Sequence, residues 1–283
     1  MINSTSVPMH LPLESVSLDP QWREGALHSR SPGAVDMKSR RWAKHSRAVE
    51  TPATDVWIYE TFFFGMERGI IVESGGLDGL QFSNSYMFEV FANWTSILVE
   101  ADSRNFKKMV VNRPRAFNIH AALCNTSTVL HYYERGDCCS GIVELQEKML
   151  IDLNDRRIDI NTLPTVHCIS ITHVLRKLLA VKVVDIWVLD LEGAEESALS
   201  NTDFNAVQFN LVVYETREGS DEELQVERRK AALVERHGFK CYTKLDKDQV
   251  SNNLYCVNNK FTPVSAPNSS ALVLRNWDTT TTR

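Results

Sequence analysis

Between residues 55 and 261 the apolar positions follow two rhythms: short runs rich in Val, Ile and Leu, and longer segments in which apolar residues return every three or four positions. The runs GIIVESG at 69–75, SILVEAD at 96–102, NIHAALC at 118–124, VVDIWVLDLEG at 183–193 and FNLVVYETR at 209–217 read as strands. The fourth is apolar almost throughout, as a strand covered on both faces should be. Between the runs, segments at 82–93, 103–112 and 169–180 carry helical spacing; in the second, Phe106, Met109 and Val110 share a face and Ser103 is the expected N-cap. ELQVERRKAALVERHG predicts an amphipathic helix stopped by Gly238, with Arg236 and His237 placed against its C-terminal dipole. GFKCYTKL and NNLYCVNNKF then read as a hairpin-like closing pair. Strand–helix alternation ending in two consecutive strands predicts an open, doubly wound, mostly parallel α/β sheet of seven strands with a terminal antiparallel element.

The flanks lack this periodicity. Residues 1–50, with scattered Ser, Pro, Arg and His, read as a disordered or loosely attached lead-in; 51–262 is the expected domain, and 263–283, with its TTTT tract, a flexible tail. The stretch 131–163 has mixed signals and is expected to form an insertion over the sheet edge.

Composition narrows the choice of partners. With 31 Lys and Arg against 36 Asp and Glu, the net charge of −5 offers no general attraction to phosphate backbones, so a small-molecule substrate is favoured over nucleic acid. The longest apolar stretch, 178–189, is interrupted by Lys182 and Asp185 and falls short of the roughly 20 residues of a membrane span. Without the apolar core of a secretory signal in the lead-in, a cytoplasmic location is expected. Cys124, Cys138, Cys139, Cys168, Cys241 and Cys256 form no C-x-x-C pair and read as reduced, structural thiols. Glycosylation sequons at Asn93, Asn125 and Asn268 would matter only in a different compartment.

Candidate chemistry gathers at the ends of the strands. IIVESGGLDGLQFSNS sets Glu73, Gly75, Gly76 and Gly79 between a strand and a helix, where missing Cβ atoms let the backbone approach a ligand. The spacing is neither G-x-G-x-x-G nor a P-loop, so a nucleoside without phosphates fits better than a dinucleotide. Glu100, 21 positions beyond Gly79, stands where an acidic side chain reaches ribose hydroxyls, with Asp102 as second candidate. LDLEGAEE places Asp190, Glu192 and Glu195 around Gly193 at the end of the fourth strand; strict alternation would put Asp190 and Glu192 on one sheet face, with Glu215 beside them. His120 and His173 are alternative acid/base groups, and His167 has no companions that would make a zinc site. Trp57, Tyr59 and Phe62, Phe63 and Phe64 are expected in the core.

These blocks resemble the FkbM-type family of S-adenosylmethionine-dependent methyltransferases over roughly residues 55–261. The likeness rests on IVESGGLDGLQFSNSYMFE, ILVEAD after Trp94, the NRP at 112–114, AALCN and DIWVLDLEGAEESAL, in that order. The resemblance implies a Rossmann-like methyltransferase sheet and S-adenosylmethionine as cofactor, held by Glu73, Gly75, Gly79, Asn84 and Glu100. It places Asp190 and Glu192 near the donor's amino-acid portion or the acceptor. Ser74, Gly76 and Leu189 depart from the usual family pattern. The resemblance further implies methyl transfer to a hydroxyl of a sugar or other small metabolite, with Asp190 as first and Glu192 as second choice of base. Two other classes share the same outline: an NAD(P)-dependent oxidoreductase, disfavoured by the glycine spacing, and a catalytically silent cofactor-binding module.

Overall fold

The computed structural model describes residues 16–17, 43–48, 53–124, 128–134, 140–146, 151, 153–154, 156–217, 219–246, 249–265 and 272–275. Its strands are β1 (Val16–Ser17), β2 (Ile70–Ser74), β3 (Thr95–Glu100), β4 (Phe117–His120), β5 (Ala122–Leu123), β6 (Val129–Tyr133) and β7 (Gly141–Ile142). They continue as β8 (Thr165–Ile169), β9 (Val183–Leu189), β10 (Gln208–Glu215), β11 (Phe239–Asp246), β12 (Gln249–Asn258) and β13 (Leu272–Leu274). The helices are α1 (Thr54–Phe62), α2 (Tyr86–Ala92), α3 (Ser103–Asn112), α4 (Ile171–His173), α5 (Glu195–Ser200) and α6 (Asp221–Glu235).

The main sheet has the order β1-β4-β3-β2-β9-β10-β12-β11-β13. β4, β3, β2, β9 and β10 run parallel. β12 is antiparallel to both its neighbours, β10 and β11, so the last strand of the expected closing pair is inserted inside the sheet rather than added at its edge. These seven strands form the core, and the short β1 and β13 extend its edges. The chain moves outward in opposite directions from β2 and from β9, so the crevice beyond their carboxyl ends is the topological switch point where open α/β sheets take ligands.

Both faces of the sheet are covered, which is why its central strands are apolar without alternation. Ile71, Ile186, Val188, Leu211 and Val213 pack under α1 and α2, with Trp57, Tyr59, Phe62 and Phe63 in the same cluster. Val72, Trp187, Leu189, Phe209 and Val212 face the other way, against α5 and α6. Asp185 brings a carboxylate into the middle of this sheet. Asp185 accepts from the backbone N–H of Ile70 (2.9 Å) and from Asn210 Nδ2 (2.9 Å), fixing β2, β9 and β10 in register.

Several sequence expectations shift by a residue or more. The N-cap of α3 is Asp102, not Ser103: its extended backbone aims the carboxylate at the N–H groups of Arg104 and Asn105, and Ser103 becomes the first helical residue. The helix expected at 169–180 begins at Ile171, because Ile169 belongs to β8 and Ser170 is extended, and it continues as a π-helical turn at Val174–Leu178. The run 118–124 splits into β4 and β5, which join different sheets. α6 ends at Glu235, short of the expected stop: Arg236 is its C-cap, no basic residue lies in its last turn, and Gly238 (φ +88°) follows two residues beyond the cap.

The region 131–163 contributes to a second sheet, of order β5-β8-β6-β7. Cys124 pairs with Cys168 beside β5 and β8, and Cys241 with Cys256 across β11 and β12, as disulfides. The reading of these four as reduced thiols is thereby corrected: strand pairing brings them together from positions 44 and 15 residues apart, a proximity that spacing in sequence does not reveal. Cys138, Cys139, Asn125, Asn268, the TTTT tract and most of the lead-in lie outside the described residues. The described part of the lead-in touches the domain: β1 pairs with β4, and Ser46 Oγ donates to Asp55 Oδ1 (2.6 Å). Among the described residues no helix is long and apolar enough to cross a membrane.

Candidate functional site

β2 and β9 end side by side at the switch point, and the turn leaving each strand is shaped by the other. Asp190 N–H donates to Ser74 O (3.0 Å), and Gly75 turns away at φ +89° with its α-carbon against the Asp190 carbonyl. Only glycine tolerates both that angle and that approach. Gly75 and Gly76 N–H groups then donate to Val99 O (2.9 and 3.1 Å), bending the chain across the end of β3.

The loop between β2 and α2 is held from beneath by two buried carboxylates. Glu73, 4% exposed, accepts from Asn84 N–H (2.6 Å), Ser83 Oγ (2.8 Å) and Ser85 Oγ (2.5 Å). Glu100, 5% exposed, accepts from Leu77 N–H (2.8 Å) and Asp102 N–H (2.7 Å). Leu77 (φ +45°) and Phe82 (φ +59°) hold left-handed backbone that side chains of their size avoid, at a cost of about 1–2 kcal/mol each. Such angles persist because the surrounding hydrogen bonds impose them.

On the other side, β9 ends at Leu189, so Asp190 and Glu192 are not successive residues of one strand face. A tight turn with Glu192 at φ +55° and Gly193 at φ +113° carries them, and it is this turn, not alternation, that aims both at the cavity. Glu195, buried at the start of α5, pins the turn by accepting from Leu191 N–H (2.9 Å) and Gly193 N–H (3.2 Å). Glu192 is paired with Arg217 (2.8 Å), which also lies 3.9 Å from Glu215. Asp190 has no hydrogen-bond partner for its carboxylate among the described residues.

Together these elements line one cavity that opens to solvent. Glu73, Gly75, Asn84, Glu100, Asp190 and Glu192 line it. Gly79 and Asp102 do not: Gly79 (φ +81°) makes room for Arg113 and Met109, and Asp102 is occupied as the α3 cap. Glu215 and His120 lie outside the lining as well; His120 Nε2 meets the backbone oxygen of the lining residue Ala101 (3.1 Å) and its ring stacks on Phe106. The carboxyl ends of β3 and β4 add an apolar section formed by Val99, Ala101, Ala121, Ala122 and Leu123.

Sequence reasoning missed one wall altogether. Tyr132, Ser140, Gly141 and Ile142 reach the cavity from the second sheet. The only signal was VLHYY at 129–133, which alternates as a half-buried strand does but gives no hint of where that strand docks.

The electrostatics follow from burial. Desolvation raises Glu100 from 4.5 to about 7, against the lowering effect of the backbone donors of Asp102, Leu77 and Ala101. Asp190 is raised from 3.8 to about 7, first by desolvation and then by Glu215, Glu192, Glu195 and Glu73. Water reaches Asp190 through the cavity, while the walls still surround it with protein and like charge. Burial, reinforced by Glu100 and Asp102, pushes the Tyr132 hydroxyl well above the usual range. A pocket with clustered carboxylates, a nearby unpartnered amide oxygen in Asn84 and an apolar section suits a ligand that is part apolar ring, part polyhydroxyl and part cation. Among the described residues no three His, Cys, Asp or Glu side chains are grouped to hold a metal ion.

The family model described as "Methyltransferase FkbM domain" matches residues 69–241. No curated protein matches the chain significantly. Among solved structures, the chain is similar to an O-methyltransferase from Bacillus cereus in complex with SAH, with TM-score 0.40 and 13% identity over 78% of this chain and 87% of that one. A putative rRNA-methylase from Clostridium thermocellum gives 0.39 and 9% over 78% and 99%. Aeropyrum pernix fibrillarin with natively bound S-adenosyl-L-methionine gives 0.37 and 13% over 68% and 67%.

Proposed function

Because the chain belongs to the methyltransferase FkbM domain family, we propose that its switch-point cavity takes S-adenosylmethionine and passes the methyl group to a hydroxyl oxygen of a small molecule, such as a sugar. The observation that carries this reading is the arrangement of Glu100 and Asp190 on opposite sides of the Gly75 turn in one cavity. The residues present fit the donor. The Glu100 carboxylate has about four lone-pair sites and accepts from the backbone of Leu77, Asp102 and Ala101, which leaves room for a ribose hydroxyl. Val99, Ala101, Ala122 and Leu123 offer an apolar berth for an adenine ring. Asn84 Oδ1, buried without a partner, is an acceptor for an ammonium group.

The donor supplies a methyl group already activated by its sulfonium. What the protein adds is alignment, exclusion of water and a place for the acceptor's proton. Asp190, with a proton affinity near neutrality, takes that proton as the oxygen acquires its new bond to carbon; Glu192, held by Arg217, is the second choice. Gly79 and Asp102 support the loop and α3 without meeting the donor.

Turnover of methyl-labelled donor, with a panel of hydroxylated small molecules as acceptors, tests the reading. Asp190→Asn should keep donor affinity and lose roughly 10²–10⁴ in rate if Asp190 is the base. Loss of donor affinity in that variant would assign it to the ammonium group instead, and wild-type values for both would remove it from the mechanism.

A further inference from the structure

The loop that brings Leu77, Phe82 and Asn84 to the cavity lies directly over a residue that never reaches the cavity itself. Arg113 follows α3, is 1% exposed, and turns its guanidinium under the loop. It donates to Gly79 O (2.8 Å), Ser83 Oγ (3.2 Å), Ser85 Oγ (3.1 Å) and Ser96 Oγ (3.0 Å), and to Glu89 through Nε (3.1 Å) and Nη2 (2.6 Å). Its Cγ lies 2.7 Å from where a Cβ on Gly79 would be, and the ring of Tyr86 lies 5.4 Å from its Cζ.

The two serines give this network a direction. Each accepts from Arg113, so each has its own proton free to donate, and both donate to Glu73 Oε2. The other oxygen of Glu73 accepts from Asn84 N–H. A continuous chain therefore runs from Glu89 through Arg113 and the paired hydroxyls to Glu73 and on to Asn84. Five N–H groups serve these six contacts, with the two hydrogens of Nη2 shared among Ser85, Ser96 and Glu89, and a lysine ammonium with three donors reaches fewer of them.

We infer that Arg113 is a positioning residue for the methyl-donor site: through Ser83 and Ser85 it fixes the Glu73 carboxylate and thereby the face that Asn84 presents to the cavity. The inference rests on the reading of that cavity as a donor site. It assigns to the buried cation of the NRP segment a role in affinity rather than in folding alone.

The test is calorimetric titration with S-adenosylhomocysteine together with amide hydrogen exchange over residues 77–85. The proteins are the wild type, Arg113→Lys, the double variant Ser83→Ala/Ser85→Ala, and Asp185→Asn as a control that weakens a buried polar network at the far end of β2 and β9. Arg113→Lys and the double variant should stay folded, raise the dissociation constant about tenfold or more, as losses of orienting partners do, and exchange faster at 77–85. Asp185→Asn should lower thermal stability and leave the dissociation constant unchanged. A folded Arg113→Lys protein with wild-type affinity would overturn the inference. Should that variant fail to fold, the double variant decides, because it removes the relay and leaves Arg113 paired with Glu89. If the wild type binds no S-adenosylhomocysteine, the donor reading fails, and loop exchange alone then decides whether Arg113 orders the loop.

Discussion

A Cβ on Gly75 would fall on the carbonyl oxygen of Asp190, so the two strands that carry the cavity approach each other where only glycine fits. Gly75→Ala should therefore cost about 2–4 kcal/mol of stability through strain at positive φ together with the clash. Urea denaturation measures this, and a Gly75→Ala protein of wild-type stability would show that the strands part more easily than their hydrogen bonds suggest.

Of the five carboxyls with raised pKa values among the described residues, Glu215 and Glu227 included, three carry the large shifts that dominate the pH dependence of the free protein. Burial lifts Asp55 from 3.8 to about 6, Glu100 from 4.5 to about 7 and Asp190 from 3.8 to about 7. The folded chain thus holds these protons more tightly than the unfolded chain, and their contribution to stability is lost as pH rises from about 4 toward 7. Asp190 opens to water in the cavity, so its share is smaller than its pKa alone implies. The unliganded protein should unfold at higher urea at pH 5.5 than at pH 8, with the difference reduced in Glu100→Gln. Donor affinity should move the opposite way, rising toward pH 8, because a ribose needs the ionised Glu100. Stability that climbs steadily from pH 5.5 to 8 would contradict these assignments.

The strands of the parallel core were legible because burial on both faces leaves uninterrupted apolar runs: 69–75 and 96–102 contain β2 and β3 almost to the residue. Features that depend on more than local pattern were not. Ser103 and Asp102 are both good caps, and only backbone geometry shows that Asp102 takes the role. Asp102 was also a ribose candidate, whereas its carboxylate is engaged with Arg104 and Asn105. Lys230 and Glu227, charged positions on an amphipathic helix, are buried because they pair at 2.8 Å, with Glu195 3.7 Å from Lys230 beneath the Leu191–Gly193 turn. Tyr132 and Ile142 meet the cavity through strand pairings between positions far apart in sequence, which periodicity does not encode.

The Glu192–Arg217 pair offers a separation of stability from function. With side chains 31% and 38% exposed, the pair is screened and contributes at most about 1 kcal/mol to stability. Arg217→Ala should melt close to the wild type and leave donor affinity unchanged, while the Michaelis constant for the acceptor rises several-fold as Glu192 loses its orientation. Steady-state kinetics with each substrate varied distinguish the two, and an equal loss of donor affinity would place Arg217 on the donor side of the cavity.

The central claim is that the cavity at the β2/β9 switch point holds a nucleoside donor through Glu100. Titrating the wild type and Glu100→Ala with S-adenosylhomocysteine and with NAD tests it most directly. The account predicts one S-adenosylhomocysteine per chain in the wild type, a loss of roughly 2–4 kcal/mol of binding free energy in the folded variant as hydrogen bonds to a charged acceptor disappear, and far weaker binding of NAD. Tight NAD binding without S-adenosylhomocysteine binding, or an unchanged dissociation constant in Glu100→Ala, would contradict it.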